Sequence, residues 1–275
     1  MNTILDRIKA HKLVEVAEAK GRGPVEELIA SCAGLEPCRG FAAAIRAGRA
    51  AGAPRTPGRR LRVIAEVKKA SPSVGLIRPD FDPVLIAQSY ERGGASAISC
   101  LTDEKFFQGS LEYLKLIRAA VALPILRKDF MVDPYQVWQA RAAGADAILI
   151  IAGMNDRPTQ LEIRETARRA GLDVLVEIHG PDELAEALAL EPDVLGINNR
   201  NLRTEQLKTD LNVTLGLAAS VPPALTLISE SGIRSAEDVA ALERLGIDGI
   251  LVGEHLMREP DPGAAIAGKL GIRAS

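Results

Sequence analysis

Aromatic side chains are scarce in this chain: 3% of 275 residues, with one Trp, three Tyr and five Phe. Stacking on a planar ligand must therefore rely on aliphatic surface and one or two Phe. Phe106, Phe107 and Phe130 are the candidates, because they follow predicted strand ends, whereas Trp138 falls on a predicted outer helix and reads as packing. Cysteine is as sparse. Cys32, Cys38 and Cys100 are odd in number and lack C-x-x-C spacing, which argues for reduced structural thiols over a disulfide framework or zinc site. The three histidines, His11, His179 and His255, form neither H-x-H nor H-E-x-x-H, so no bound metal is expected. No run reaches the roughly 20 apolar residues that cross a bilayer. The start, MNTILDRIKAHK, has charges where a signal peptide needs its apolar region, so a cytoplasmic location is expected. A formal net charge of -2, with 47% hydrophobic and 25% charged residues, describes a globular chain and not a polybasic nucleic-acid binder.

What the chain does have is alternation. From about residue 60, short Val/Ile-rich runs alternate with stretches of helical period, the pattern of βα units. The strand candidates are 62–68, 96–102, 124–130, 146–151, 173–178, 193–199, 225–231 and 249–253, which makes eight. Helix candidates lie between them, such as DPVLIAQSYERGG and RPTQLEIRETARRAG, and several have Asp, Ser or Gly at the start as a cap, Pro in the first turn and Gly at the end. Eight parallel units predict an α/β fold, a (β/α)8 TIM barrel. A doubly wound open sheet is the alternative, but no G-x-G-x-x-G follows the first strand. The expected organisation is one barrel domain over residues 1–275, of which 1–60 form an N-terminal helical extension. That extension reads either as a packing cap on one barrel end or as a partial lid.

Barrel strands alternate inward and outward, and chemistry collects at their C-terminal ends. Those ends carry Glu66 and Lys68 in phase with each other, Lys128 in phase with Leu126, and Glu177 in phase with Leu175. Asn198 and Arg200 end the sixth strand, and Glu230 and Ser231 the seventh. Arg127 and Lys69 are out of phase and should face helices or solvent. Any one of these could be a strand-end salt bridge; together they suggest acid/base work on an anionic substrate. SESGIRS and LVGEHLM place Gly232 and Gly253 just after the last two strands, where backbone N–H groups can hold phosphate, and Ser71 could add a hydroxyl.

The segments AEVKKASPSVG, LTDEKFFQGSLEYL, LRKDFMVDPYQV, VEIH, GINNRNL, ISESGI and LVGEHLM, in this order and spacing, closely resemble the indole-3-glycerol phosphate synthases. The resemblance spans essentially the whole chain. It implies conversion of 1-(2-carboxyphenylamino)-1-deoxyribulose 5-phosphate into indole-3-glycerol phosphate, with loss of carbon dioxide and water and no metal or organic cofactor. Residue by residue, Lys128 matches the family's general acid and Glu177 a second acid/base residue. Lys68 matches a lysine near the substrate carboxylate. Glu66, Asn198, Glu230 and Ser231 would hold sugar hydroxyls, orient the lysines and stabilise developing charge. Arg200 would neutralise the carboxylate, and Ser71 with the backbone of Gly232, Gly253 and Glu254 would hold the phosphate. The expected partner is that small phosphorylated molecule, with no nucleic acid or membrane, and the chain is expected to act as a monomer or weak homodimer.

Three positions depart from the family pattern. Gly180 stands where an acidic residue is common, LRTEQLKTDL is longer than usual and lacks an aromatic, and His255 follows the phosphate glycine where a small residue is frequent. His255 reads either as a phosphate contact or as a structural helix residue.

Overall fold

The strands close on themselves. A computed structural model describes residues 3–46, 48–200 and 208–272, so part of LRTEQLKTDL lies outside the described residues. Its barrel strands are β1 (Arg62–Val67), β2 (Ala97–Leu101), β3 (Ile125–Lys128), β4 (Ala147–Ile151), β5 (Asp173–Ile178), β6 (Val194–Asn198), β7 (Thr226–Glu230) and β8 (Gly249–Val252). Each pairs in parallel with its neighbours in sequence, and β8 returns to β1 with Ile64 opposite Leu251. Closure excludes the open-sheet alternative and leaves no barrel edge to protect.

Side-chain phase sorts the apolar residues into two layers. Along β4, Ala147, Leu149 and Ile151 point into the barrel with Ile64, Leu126, Leu175, Ile228 and Leu251. The alternate residues Ile148 and Ile150 pack outward with the helices, where Trp138 also lies, as expected of a packing residue. Asp82 and Asp156 cap the helices Pro83–Arg92 and Arg157–Ala170 by accepting backbone N–H groups, and Gly171 closes the second in the left-handed conformation.

Two details differ from the sequence reading. Most strands end one or two residues early; β3 stops at Lys128, and Asp129 turns into a buried ion network. The segment after β1, beyond the strand expected at 62–68, forms an antiparallel hairpin of two-residue strands, Ala70–Ser71 against Gly75–Leu76, so Ser71 sits on a paired strand.

The extension folds as α1 (Ile4–Arg22), α2 (Val25–Cys32) and α3 (Phe41–Arg46). Thr3 and Asp6 form a reciprocal capping box at the start of α1. Cap and wall turn out to be separate helices. Phe41 and Ile45 of α3 are buried against Ile64, Ala97 and Ile228, and the Ala42 N–H donates to Asp173, the first residue of β5, at 2.8 Å. α3 therefore plugs the N-terminal end of the barrel. α1 lies at the opposite end, where Ile4 and Ile8 line the mouth. Among the described residues, no helix is long and apolar enough to cross a membrane.

Candidate active site

A cavity of about 310 Å³ opens at the C-terminal ends of the strands. Every acid/base and phosphate-binding residue proposed from the sequence lines it: Glu66, Lys68, Ser71, Lys128, Glu177, Asn198, Arg200, Glu230, Ser231, Gly232, Gly253 and Glu254. Glu66, Lys128, Glu177 and Glu230 lie two residues beyond Ile64, Leu126, Leu175 and Ile228, and those four are barrel-interior residues.

Lys128 occupies the centre. Its Nζ is 2.7 Å from Glu177 Oε2 and 3.5 Å from Glu230 Oε2. Burial works against the ammonium, but the carboxylates of Glu177, Glu230 and Glu66 outweigh it and raise the lysine above its ordinary range. The two glutamates respond oppositely. Burial pushes Glu177 up, yet Lys128 and His179 outweigh it and hold the carboxyl well below its usual value. Burial also pushes Glu230 up; Lys128 opposes this, Glu177 and Glu66 reinforce it, and the group reaches about 8. One carboxyl is thus ionised and the other protonated at neutral pH, the expected outcome for two acids sharing one cation. Beside them Lys68 pairs with Glu66. Arg127 faces the helices, as its phase required, but it is buried rather than solvent-exposed and donates to Gln136 O, Asp129 and Thr102.

The other end of the cavity is built from turns. Ser231 has φ 66° and Gly232 φ 79°, so the chain reverses immediately after Glu230 through two left-handed residues. That conformation is costly for serine and needs support. Asn199 provides it: its Nδ2 donates to the carbonyls of Glu230 and Ser231, each at 3.0 Å. Gly253 precedes the short helix Glu254–Met257, and its Cα faces Glu66 so closely that a Cβ would lie 2.9 Å from the Glu66 Cβ. Ser71 and Ser73 hydroxyls are 3.2 Å apart. The Arg200 guanidinium reaches Ser73 and Glu254, each at 3.5 Å, and its backbone N–H donates to Asn198 Oδ1 at 3.0 Å. Burial pushes the Glu254 carboxyl up, but Arg258 and Arg200 bring it below its usual value. Buried acid/base groups beside glycine-containing turns suit a phosphorylated molecule.

Comparison with known proteins gives the same result. A family model for indole-3-glycerol phosphate synthase matches residues 5–268. An indole-3-glycerol phosphate synthase of Rhodopirellula baltica is 51% identical over 259 residues, covering 94% of this chain and 95% of the relative. The chain belongs to the indole-3-glycerol phosphate synthase family. Its activity is accordingly that of a carboxy-lyase of tryptophan biosynthesis.

Ile4, Ile8, Ser73, Asp129, Arg234 and Arg258 line the cavity without having been apparent in the sequence. Ile4 and Ile8 wall it from α1; their i, i+4 spacing was visible, but not what they face. Phe107 and Phe130 line it, whereas Phe106 lies outside the lining with its ring 5.9 Å from His11. His255 lines the cavity beside Gly253, on the short helix after β8. Asp129, Ser73, Arg234 and Arg258 also contribute surface, Asp129 from within LRKDF directly after Lys128.

Proposed function

We propose that the chain closes the indole ring of 1-(2-carboxyphenylamino)-1-deoxyribulose 5-phosphate, with Lys128 as general acid. The observation that carries this reading is the Lys128 ammonium held 2.7 Å from Glu177 at the centre of the cavity. The aromatic carbon bearing the carboxylate attacks the ketone carbon. As that bond forms, the carbonyl electrons move to oxygen, which takes a proton from Lys128. The bond to the carboxylate then breaks, carbon dioxide leaves, and its electrons restore the aromatic ring. Dehydration follows: the hydroxyl departs as water with a proton from an acid, while a base removes the proton on the adjacent carbon.

Glu177 is the second acid/base residue, and Lys68 is the lysine at the substrate carboxylate. Glu66, Asn198, Glu230 and Ser231 orient the lysines and the sugar hydroxyls and stabilise developing charge. Arg200 neutralises the carboxylate. Ser71 and the backbone N–H groups of Gly232, Gly253 and Glu254 hold the phosphate, where a short helix begins and turns expose donors. The scheme uses side-chain acids and bases alone.

The test is fluorescence-monitored formation of indole-3-glycerol phosphate in the presence of a chelator. Turnover that survives chelation and disappears in Lys128→Met supports the scheme. Near-normal rates in Lys128→Met would remove Lys128 as the acid, and no turnover from folded wild-type protein would remove the reaction.

A further inference from the structure

His179 follows the end of β5 and is buried, although it lies outside the cavity lining. Its Nε2 is 3.2 Å from Glu177 Oε1, and its Nδ1 is 3.5 Å from Glu183 Oε2. These are ion-pair contacts rather than linear hydrogen bonds. Glu183, in the turn Pro181–Glu183, also accepts the His179 backbone N–H at 2.5 Å. Glu177 thus has one oxygen against Lys128 and the other against His179. Lys128, Glu177, His179 and Glu183 form a line of alternating charge that runs from the cavity into the protein.

Charge balance explains what the line needs. Ionised groups out of water must be compensated. Glu66, Glu177, Glu183 and Glu230 bring four buried carboxyls to this cluster, and Lys68 and Lys128 bring two cations. With Glu230 protonated, three carboxylates face two lysines, and an imidazolium between Glu177 and Glu183 makes the third cation.

We propose that His179, anchored by Glu183, is a positioning residue for Glu177: its imidazolium fixes the plane of that carboxylate and leaves Oε2 to Lys128. The proposal rests on the reading of Glu177 as the second acid/base residue. Burial works against the charged imidazole, but Glu177 and Glu183 outweigh it and raise His179 to about 9. Those two carboxylates, one at the end of β5 and one on the turn, are its ion-pair partners; Glu177 in turn faces Lys128 on β3 and interacts with Glu230 on β7. The charge is therefore present at neutral pH and is lost as pH rises through about 9.

The experiment is imidazole 15N NMR of the intact protein, which has three histidines to assign, followed by steady-state kinetics. One signal, absent in His179→Gln, should stay doubly protonated at pH 7.5 and titrate near pH 9; in Glu183→Gln it should titrate lower. In His179→Gln, kcat should fall about 10- to 100-fold, the scale set by small misplacements of a reacting group, with KM changed less than about 3-fold. A neutral His179 at pH 7.5, or a titration that ignores Glu183→Gln, would overturn the proposal without needing any variant to turn over. Full kcat in His179→Gln would overturn the role and leave the reaction standing, whereas no turnover from the wild-type chain would overturn the reaction and the role with it.

Discussion

Lys12 Nζ lies 2.9 Å from Asp129 Oδ1, and neither side chain is exposed. One belongs to the extension and the other directly follows Lys128. The same ammonium is 3.1 Å from the buried Asp103 Oδ2 and 3.0 Å from Glu15. Asp129 accepts in turn from Thr102 Oγ1 at 2.6 Å, Arg127 at 2.9 Å and the Phe130 N–H at 2.8 Å. Burial opposes charge on Asp129, but Arg127 and Lys12 hold its carboxyl down at about 2. The helix that carries Ile4 and Ile8 is thereby pinned to the ends of β2 and β3, one residue from the proposed acid.

Lys12→Met tests this pin. Removing the cation leaves Asp103 and Asp129 buried with less compensation, and breaking a buried pair in this way costs about 3–5 kcal/mol. Urea unfolding should show a loss of that size, and KM should rise as Ile4 and Ile8 lose their anchorage. Stability within about 1 kcal/mol of wild type would mean the network contributes no more than a surface pair.

How much of this was legible depended on whether local pattern carried it. Period-two phase put Glu66, Lys128 and Glu177 on one face of their strands, and position at a strand end marked Glu230, because strand geometry forces alternate residues to opposite faces. The glycine turns after β7 and β8 were legible for the same local reason. Lys12 was not. Its burial depends on where α1 crosses the mouth, and a lysine on a helix reads the same whether it meets water or two aspartates. His179 was read as one of three scattered histidines, since its partner Glu183 belongs to a turn whose path the sequence does not dictate. Asn199, beside the expected Asn198, supports a strained Ser231 through contacts between strands that are remote in sequence.

Two glycines should respond oppositely to alanine. At Gly253 a Cβ would lie 2.9 Å from the Glu66 Cβ and 3.0 Å from its Cδ, so Glu66 or the end of β8 must shift. Gly253→Ala should cost about 1–3 kcal/mol in stability and lower kcat/KM by about 10²-fold, because Glu66 holds Lys68 and the following N–H belongs to the proposed phosphate site. Gly216 lies in the helix Asn212–Leu217 with nothing within 4 Å of a Cβ. Gly216→Ala should therefore stabilise by about 0.5–1 kcal/mol with unchanged kinetics. Thermal melts and initial rates on both variants decide the matter; a harmless Gly253→Ala would show that the turn can yield.

The protonated Glu230 predicts a stability slope of unusual sign. A free glutamate titrates near 4.5 and this one near 8, so between those values the folded chain holds a proton that the unfolded chain has released. Stability falls with rising pH wherever the native state binds more protons, so this group should destabilise the fold progressively from about pH 4.5 to 8. Glu230→Gln keeps the shape and the neutral state and removes the titration. Urea midpoints at pH 5.5 and 8 should converge in the variant relative to wild type, with the largest gain in stability at pH 8. An identical pH difference in both proteins would place the proton elsewhere in the Glu177–Glu230 pair. Because Glu230 also faces Lys128 at 3.5 Å, the same variant separates charge balance from catalysis: a more stable protein at pH 8 with a lower kcat would mean that the carboxyl is kept for turnover despite its cost to folding.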